Sequence, residues 1–396
     1  MKIAMYNLTT TCRFGGVETF VWEASRELAR RGEQVHILGG KGGRREEIPN
    51  VPVHVFAFWD RRRIPDLGRR FRKLLERLSM GRAAMAVLRR EKYDILHIHK
   101  PFDLPLGVWA RRKAGSRLIL GSHGTDFFAG DRLFVSGVDA AVSCSRFNAS
   151  LLTARYGLEP EVIYNGFNPE RFQPREAPEP GIRERLGFSP SDFVLVYAGR
   201  LIGLKGVKFL LRAVTRVRED LPLKVLIVGG GEEEGSLRGL CRELALEKKV
   251  VFTGFVPHAE IPAYLRCADL AVYPSLADEA FGLSICEAMA CALPVVATRV
   301  GGIPELIEDG ETGFLVEPRD EAALAERIER ALGDPGEAKE IGHRAAVRVR
   351  ELFTWEKVGD RLLRVYRGVL DAAQGALPPA EKAPRKPPAR EAEKRA

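Results

Sequence analysis

The stretch Pro274–Gly302, PSLADEAFGLSICEAMACALPVVATRVGG, places two carboxylates, Glu279 and Glu287, on either side of Phe281-Gly282-Leu283-Ser284. Leu283, Ile285, Cys286, Ala288, Met289 and Ala290 are helix formers with apolar residues at three- and four-residue spacing, stopped by Leu293-Pro294. The spacing therefore predicts a helix that opens at Gly282. Pro294 to Thr298 then reads as a buried strand. A helix start leaves backbone N–H groups unpaired where the dipole is positive, so its mouth suits an anion such as a diphosphate. Glu279 falls just outside that mouth and Glu287 about a turn inside it. Carboxylates repel phosphates but accept hydrogen bonds strongly from hydroxyls, so the arrangement suits a diphosphate flanked by sugars, as in a nucleotide-sugar. On spacing alone, two solvated glutamates remain the competing reading.

Apolar runs at Phe193–Ala198, Leu223–Val228, Val250–Phe252, Leu270–Tyr273 and Pro294–Ala297 surround this stretch and alternate with helical segments. That rhythm predicts a doubly wound α/β unit with its crevice at the strands' carboxyl ends. The first half has the same rhythm, with strands expected at Lys2–Leu8, Gln34–Leu38, Val51–Phe58, Ile95–His99, Leu118–Leu120, Ala140–Cys144 and Val162–Tyr164, and a helix over Val17–Arg31. Between the halves the text turns proline- and charge-rich. The expected organisation is a first domain over 1–168, a linker over 169–190, a second domain over 191–353, a closing helix over 354–373 and a disordered tail over 374–396.

With 396 residues and 45% hydrophobic content, the chain can bury two cores. Its six cysteines (12, 144, 241, 267, 286 and 291) show no Cys-x-x-Cys or Cys/His metal spacing, as suits a reducing compartment. The N-terminus lacks the pattern of a secretory signal and no apolar run approaches membrane-spanning length, so a cytoplasmic protein is expected. The net charge of +9 is uneven: residues 61–92 hold twelve Lys/Arg against three acidic residues, a difference that equals the excess of the whole chain. Within this segment Leu67, Phe71, Leu74, Leu75, Leu78, Met85 and Leu88 trace an amphipathic basic helix, which reads either as a crossover helix packed on the sheet or as a contact with an anionic membrane surface.

Gly199-Arg200-Leu201 and Lys205-Gly206 follow directly on the first strand of the second half, where two permanent cations can meet a leaving diphosphate; an ordinary basic loop is the alternative. Gly15-Gly16 starts the first long helix, and its backbone can approach a phosphate from the opposite domain. Gly229-Gly230-Gly231 reads as a strand-to-helix turn. The absence of Gly-x-Gly-x-x-Gly after the first strand counts against a dinucleotide dehydrogenase. His123, in Gly121-Ser-His-Gly-Thr-Asp126, follows a strand at the crevice edge and can hydrogen-bond a substrate hydroxyl; a structural histidine is the alternative. His97 and His99 share a strand face, but nothing around them completes a metal site.

Together these residues resemble the retaining glycosyltransferases of family 4. The resemblance runs from Phe14-Gly-Gly-Val-Glu-Thr-Phe20 through the His123 motif, Asn165-Gly166, the Arg200/Lys205 loop and the glutamate pair to Gly301-Gly-Ile-Pro-Glu-Leu-Ile307. It implies the GT-B fold, in which two facing Rossmann-like domains enclose a cleft and the last helix crosses back to the first domain. It also implies transfer with retention, from a nucleotide-diphosphate sugar to a hydroxyl of a glycan or lipid-linked acceptor, without an obligatory metal. By the same resemblance Glu287 would hold the ribose hydroxyls and Glu279 those of the donor sugar. Arg200 and Lys205 would neutralise the diphosphate with backbone N–H groups at Gly15-Gly16 and at Phe281 to Ser284, and His123 would lie near the reaction centre. Gly254 and Phe255, in Val251-Phe-Thr-Gly-Phe255, would border the base. Ala280 and Ala292 stand where the family often has glycine or proline and glycine, respectively. Envelope polysaccharide or glycolipid synthesis, peripheral at the inner membrane face, is the expected setting. A nucleotide-sugar epimerase on the same fold and a non-enzymatic nucleotide-sugar-binding protein are the alternatives. A nucleic-acid partner is disfavoured, because the basic segment lacks interleaved aromatics beyond Phe71.

Overall fold

The computed structural model describes residues 1–43, 47–66, 68–124, 126–174, 180–277 and 279–374. Leu67, Thr125, Asp278, residues 44–46 and 175–179, and the expected tail beyond Gln374 lie outside the described residues. The first half carries strands β1 (Lys2–Tyr6), β2 (Gln34–Gly40), β3 (Val53–Phe56), β4 (Ile95–Ile98), β5 (Arg117–Ser122), β6 (Ala140–Ser143) and β7 (Glu161–Val162), with helices α1 (Gly16–Arg30), α2 (Arg69–Glu91), α3 (Leu104–Ala114) and α4 (Arg146–Tyr156) between them. After α5 (Pro180–Arg185) the second half carries β8 (Phe193–Ala198), β9 (Leu223–Val228), β10 (Val250–Gly254), β11 (Leu270–Tyr273), β12 (Val295–Thr298) and β13 (Phe314–Val316). Its helices are α6 (Val207–Val214), α7 (Glu234–Glu243), α8 (Ile261–Arg266), α9 (Leu283–Ala290), α10 (Ile303–Leu306), α11 (Glu321–Gly333), α12 (Pro335–Leu352) and α13 (Trp355–Ala373).

The strands read as near-continuous Val/Ile/Leu runs because helices cover both faces of each sheet. The sheets are parallel, in the orders β3-β2-β1-β4-β5-β6-β7 and β10-β9-β8-β11-β12-β13. In each, the order reverses beside the first strand, between β1 and β4 and between β8 and β11. The crevice outside the carboxyl ends at such switch points is where open α/β sheets take ligands. The Gly15-Gly16 loop follows β1, the Arg200/Lys205 loop follows β8, and the Glu279 loop follows β11.

The last helix does cross back. Phe353 belongs to the second core, whereas Trp355, Val358, Leu362 and Tyr366 pack with Ile3, Phe20 and Leu28 of the first. Thr354 caps α13 by accepting from the Lys357 N–H, and Arg361 reaches the Val162 carbonyl at 2.9 Å. A second tie is Glu305 in α10. Its carboxylate accepts the N–H groups of Arg146 (2.8 Å) and Phe147 (2.9 Å) at the start of α4, and the Tyr164 hydroxyl at 2.9 Å. A negative charge from the second domain thus caps a helix of the first.

Several elements differ from the sequence expectation. The stretch 169–190, expected as the interdomain linker, contains α5, and Phe172, Ile182 and Phe188 are buried in the second core. Arg183 donates to the Cys267 carbonyl at 2.7 Å, so this segment packs as part of the structure. β1 ends at Tyr6, and Leu8–Thr11 is a single 3-10 turn. β13 and α12 have no counterpart in the expectation. The basic helix α2 buries Met80, Ala84, Met85 and Leu88 against the sheet, as the crossover reading requires, while Phe71 and Leu78 stay exposed.

Candidate active site

Helix α9 starts after Gly282, whose φ of 100° suits glycine and which supplies no capping side chain; its carbonyl takes the Ile285 and Cys286 N–H groups, and no side chain caps those of Leu283 and Ser284. Lys205 sits in a one-turn 3-10 helix (Gly203–Lys205) and is followed by Gly206 at φ 67°. A Cβ at Gly206 would lie 2.0 Å from the Pro274 carbonyl oxygen, so only glycine lets the β8 loop lie against the β11 loop. Leu276 N–H donates to the Leu204 carbonyl at 2.8 Å and fastens the two loops. This seating brings Lys205 Nζ onto the Glu279 carboxylate as an ion pair, with both side chains about four-fifths buried. Arg200 lies exposed on the same β8 loop, its carbonyl accepting from the Tyr197 hydroxyl at 2.9 Å.

Glu287, one turn into α9, is 6% exposed and accepts from His258 Nε2 at 2.7 Å. His258 Nδ1 in turn lies 3.2 Å from Arg171 Nη1, a residue of the segment joining the two domains. The Glu287 charge holds His258 above its ordinary range against the opposing effect of burial. The stabilisation from this pair is therefore complete below the unfolded imidazole value near 6.5 and fades as pH rises through the raised folded value. Between about pH 6 and 8 the wild-type melting temperature should fall more than that of His258→Gln, measured by scanning fluorimetry in matched buffers. Equal slopes would remove this pair from the account.

Across the crevice, α1 starts at Gly16 with Gly15 as an N-cap that offers no side chain. Phe14 just before it meets Phe255 after β10 with ring centroids 5.5 Å apart, although both side chains remain more than half exposed. Gly254, at φ 69°, makes the turn that presents Phe255. Glu18, in the first turn of α1, is buried. Burial pushes its carboxyl up, but a hydrogen bond from Thr9 and the charges of Lys100 and Arg200 outweigh that and hold it below the usual range. His123 follows β5 and packs on Phe20 at 4.6 Å between ring centroids. Burial, helped by Lys100, lowers it to about 4, so it meets a substrate as a neutral imidazole. It ends a buried file in which His99 Nδ1 lies 3.4 Å from His123 Nε2, His97 stacks on His99 at 4.2 Å, and His97 Nδ1 meets the Tyr366 hydroxyl of α13 at 2.6 Å. A small cavity of about 110 Å³ beside it is lined by Lys100, His99, His123 and Asp126.

The structure thus brings Lys205 onto Glu279 and sets both beside the α9 mouth, whereas Glu287 is engaged with His258 and His123 lies on the first domain. His258, Arg171, Glu18 and Lys100 were missed in the sequence. Glu18 had a signal, an acidic residue in the first turn after Gly15-Gly16; His258 had none, because its partner is 29 positions away.

Two family models match in tandem, Glycosyltransferase Family 4 over residues 14–171 and Glycosyl transferases group 1 over 179–348. D-inositol 3-phosphate glycosyltransferase 1 of Catenulispora acidiphila is 30% identical, covering 91% of this chain and 92% of the relative. The chain belongs to glycosyltransferase family 4. N-acetyl-alpha-D-glucosaminyl L-malate synthase of Bacillus anthracis is 28% identical over 90% of this transferase and 94% of that relative. Among solved structures, sucrose-phosphate synthase from Thermosynechococcus elongatus superposes with a TM-score of 0.82 at 23% identity, covering 94% of this transferase and 99% of that chain. HepE of Anabaena, solved with UDP-glucose, gives 0.78 at 23% identity, with 93% and 100% covered. These two likenesses bear on the fold, which is GT-B.

Proposed function

We propose that this transferase moves a sugar, with retention, from a nucleotide-diphosphate sugar in the interdomain cleft to an acceptor hydroxyl. The observation that carries this reading is the Lys205–Glu279 pair beside the uncapped mouth of α9, a cation and a hydroxyl-binding carboxylate flanking an anion site. In this account the diphosphate lies between Arg200, Lys205 and the N–H groups at Gly15-Gly16 and Phe281 to Ser284. Glu279 accepts from the donor sugar's hydroxyls, Glu287 from those of the ribose, and neutral His123 hydrogen-bonds near the reaction centre. Gly254 and Phe255 border the base. The C1–phosphate bond breaks, the acceptor oxygen bonds C1 on the same face, and its proton passes to the departing phosphate. The cations stabilise the charge that develops there, so the reading needs no protein nucleophile.

The division at 168, 190 and 353 is part of the proposal, as is a cytoplasmic setting. No helix among the described residues is long and apolar enough to cross a membrane. Exposed Trp59, Phe71 and Leu78 near Arg69, Arg70 and Arg82 support contact with an anionic membrane surface, tested by co-sedimentation with anionic against neutral vesicles. The relatives are named for different acceptors, D-inositol 3-phosphate and L-malate among them, so kinship leaves the acceptor open and the envelope setting rests on the membrane reading.

The donor test is a melting-temperature screen with UDP-, GDP-, ADP-, CMP- and dTDP-sugars, with and without EDTA. UDP and GDP lead it, because HepE was solved with UDP-glucose and a mycobacterial relative is named GDP-mannose-dependent. One nucleotide should raise the melting temperature, with EDTA making no difference. No shift with any of the five would overturn the reading.

A further inference from the structure

We infer that the cavity at the carboxyl ends of β1, β2 and β3 binds the acceptor through an anionic group, a phosphate or carboxylate received by Lys41 and Arg61. This rests on the transferase reading and names the chemistry of its second substrate. The cavity holds about 490 Å³, within the range of small-molecule sites. Four cations line it, Arg13, Lys41, Arg61 and Arg62, against two carboxylates, Asp60 and Glu76, a surplus of two positive charges. Asp60 is already taken by Arg62 at 2.8 Å, and buried Glu76 faces the Arg61 backbone N–H at 3.4 Å. Among the described residues, neither Lys41 nor the Arg61 guanidinium has an acidic partner within 4.0 Å. Burial lowers Arg61 below the usual guanidinium range, with the like charge of Arg13 adding to it and the carboxylate of Glu76 opposing it. An acceptor anion adds negative charge beside Lys41 and Arg61.

The walls are built. Thr11 Oγ1 and Cys12 Sγ both donate to the Gly40 carbonyl, and the Lys41 N–H donates to the Phe56 carbonyl at 2.7 Å. A Cβ on Gly42 would lie 2.3 Å from the Thr11 carbonyl, so the backbone around Lys41 is pressed onto the loop that follows β1. That same loop continues through Phe14 to Gly15-Gly16, which places the cavity beside the cleft yet apart from Arg200, Lys205 and α9, none of which lines it. Leu8 and Phe58 give it an apolar wall suited to the carbon skeleton of a polyol or sugar.

The test uses the full chain and the donor found in the melting screen. Acceptors are offered as matched pairs, glucose 6-phosphate with glucose and glycerol 3-phosphate with glycerol, and inorganic phosphate and anionic vesicles are added as competitors. The anionic member of a pair should be preferred, inorganic phosphate should inhibit competitively against acceptor, and the preference should weaken with salt. Lys41→Gln and Arg61→Gln should each raise the acceptor KM about tenfold or more, with kcat within about threefold, because each removes a charged hydrogen bond. Both should keep the donor-induced melting shift, which separates acceptor loss from misfolding. Competition by anionic vesicles in place of soluble phosphate, lost in the same variants, would assign the anion to a lipid headgroup. Equal use of charged and neutral acceptors, or unchanged KM in both variants, would overturn the inference while the donor shift still upheld the transferase reading. Absence of any donor response in the wild-type protein would overturn that reading instead.

Discussion

Lys205→Ala is expected to lower kcat about 10²–10³-fold while the protein stays folded. Lys205 is a cation held at the carboxyl end of β8 by the Gly206 corner and directed by Glu279. As the sugar–phosphate bond breaks, negative charge grows on the leaving diphosphate, so a cation placed there beforehand acts more on the transition state than on bound donor. The loss should therefore fall on kcat more than on KM for donor. Glu279→Ala should be comparably damaging for a different reason, the loss of an acceptor for donor-sugar hydroxyls, and part of its effect should appear in KM. Steady-state kinetics on both variants, with melting temperatures as a folding control, checks this. Near-wild-type kcat in both would remove the pair from the site.

Asp103→Ala is expected to cost about 3–5 kcal/mol of stability, the largest loss anticipated for a single substitution outside the two main cores. Asp103 and Arg77 form an ion pair in which the side chains are 1% and 2% exposed. Burial pushes the Asp103 carboxyl up, and the attraction of Arg77 opposes it. Removing the carboxylate leaves a guanidinium in a dry setting with its counter-charge gone. The double replacement Arg77→Met/Asp103→Leu should recover much of the loss, since an apolar pair of similar volume avoids desolvation altogether. Chemical denaturation of the three proteins tests both statements. A single variant as stable as wild type would mean that water reaches the pair.

Arg77 also shows why charge runs mislead. In the sequence it is one of twelve basic residues between 61 and 92 and looks solvated, yet it faces inward from α2 onto the loop before α3. Lys73 likewise turns in, pairing with Asp126 at 2.6 Å over the Phe102 ring, and burial lowers it to about 8. By contrast, β8, β9 and β11 were legible to the residue because strands buried on both faces are unbroken apolar runs. The start of α9 was legible because Gly282 and Pro294 bracket a helix-forming run. β13 is three residues long and too short to show a period. α12 hides behind Gly336 and Gly342, although Asp334-Pro335 is a helix-start signal, with Asp334 accepting the Glu337 N–H at 2.9 Å. Glu305 could be read as part of a motif, but its role in capping α4 from 159 positions away is a property of how the domains meet. The same holds for His258 on Glu287: local spacing carries the elements, and tertiary approach carries the pairings.

The most direct test of the central claim is proton NMR of the glycoside formed when the transferase turns over its donor with an acceptor hydroxyl, read at the anomeric proton. Retention requires that the transferred sugar keep the anomeric configuration of the donor, with nucleoside diphosphate released alongside and EDTA without effect. The opposite anomer in the glycoside would mean attack from the face away from the diphosphate, and would contradict the proposed roles of Lys205, Arg200 and Glu279.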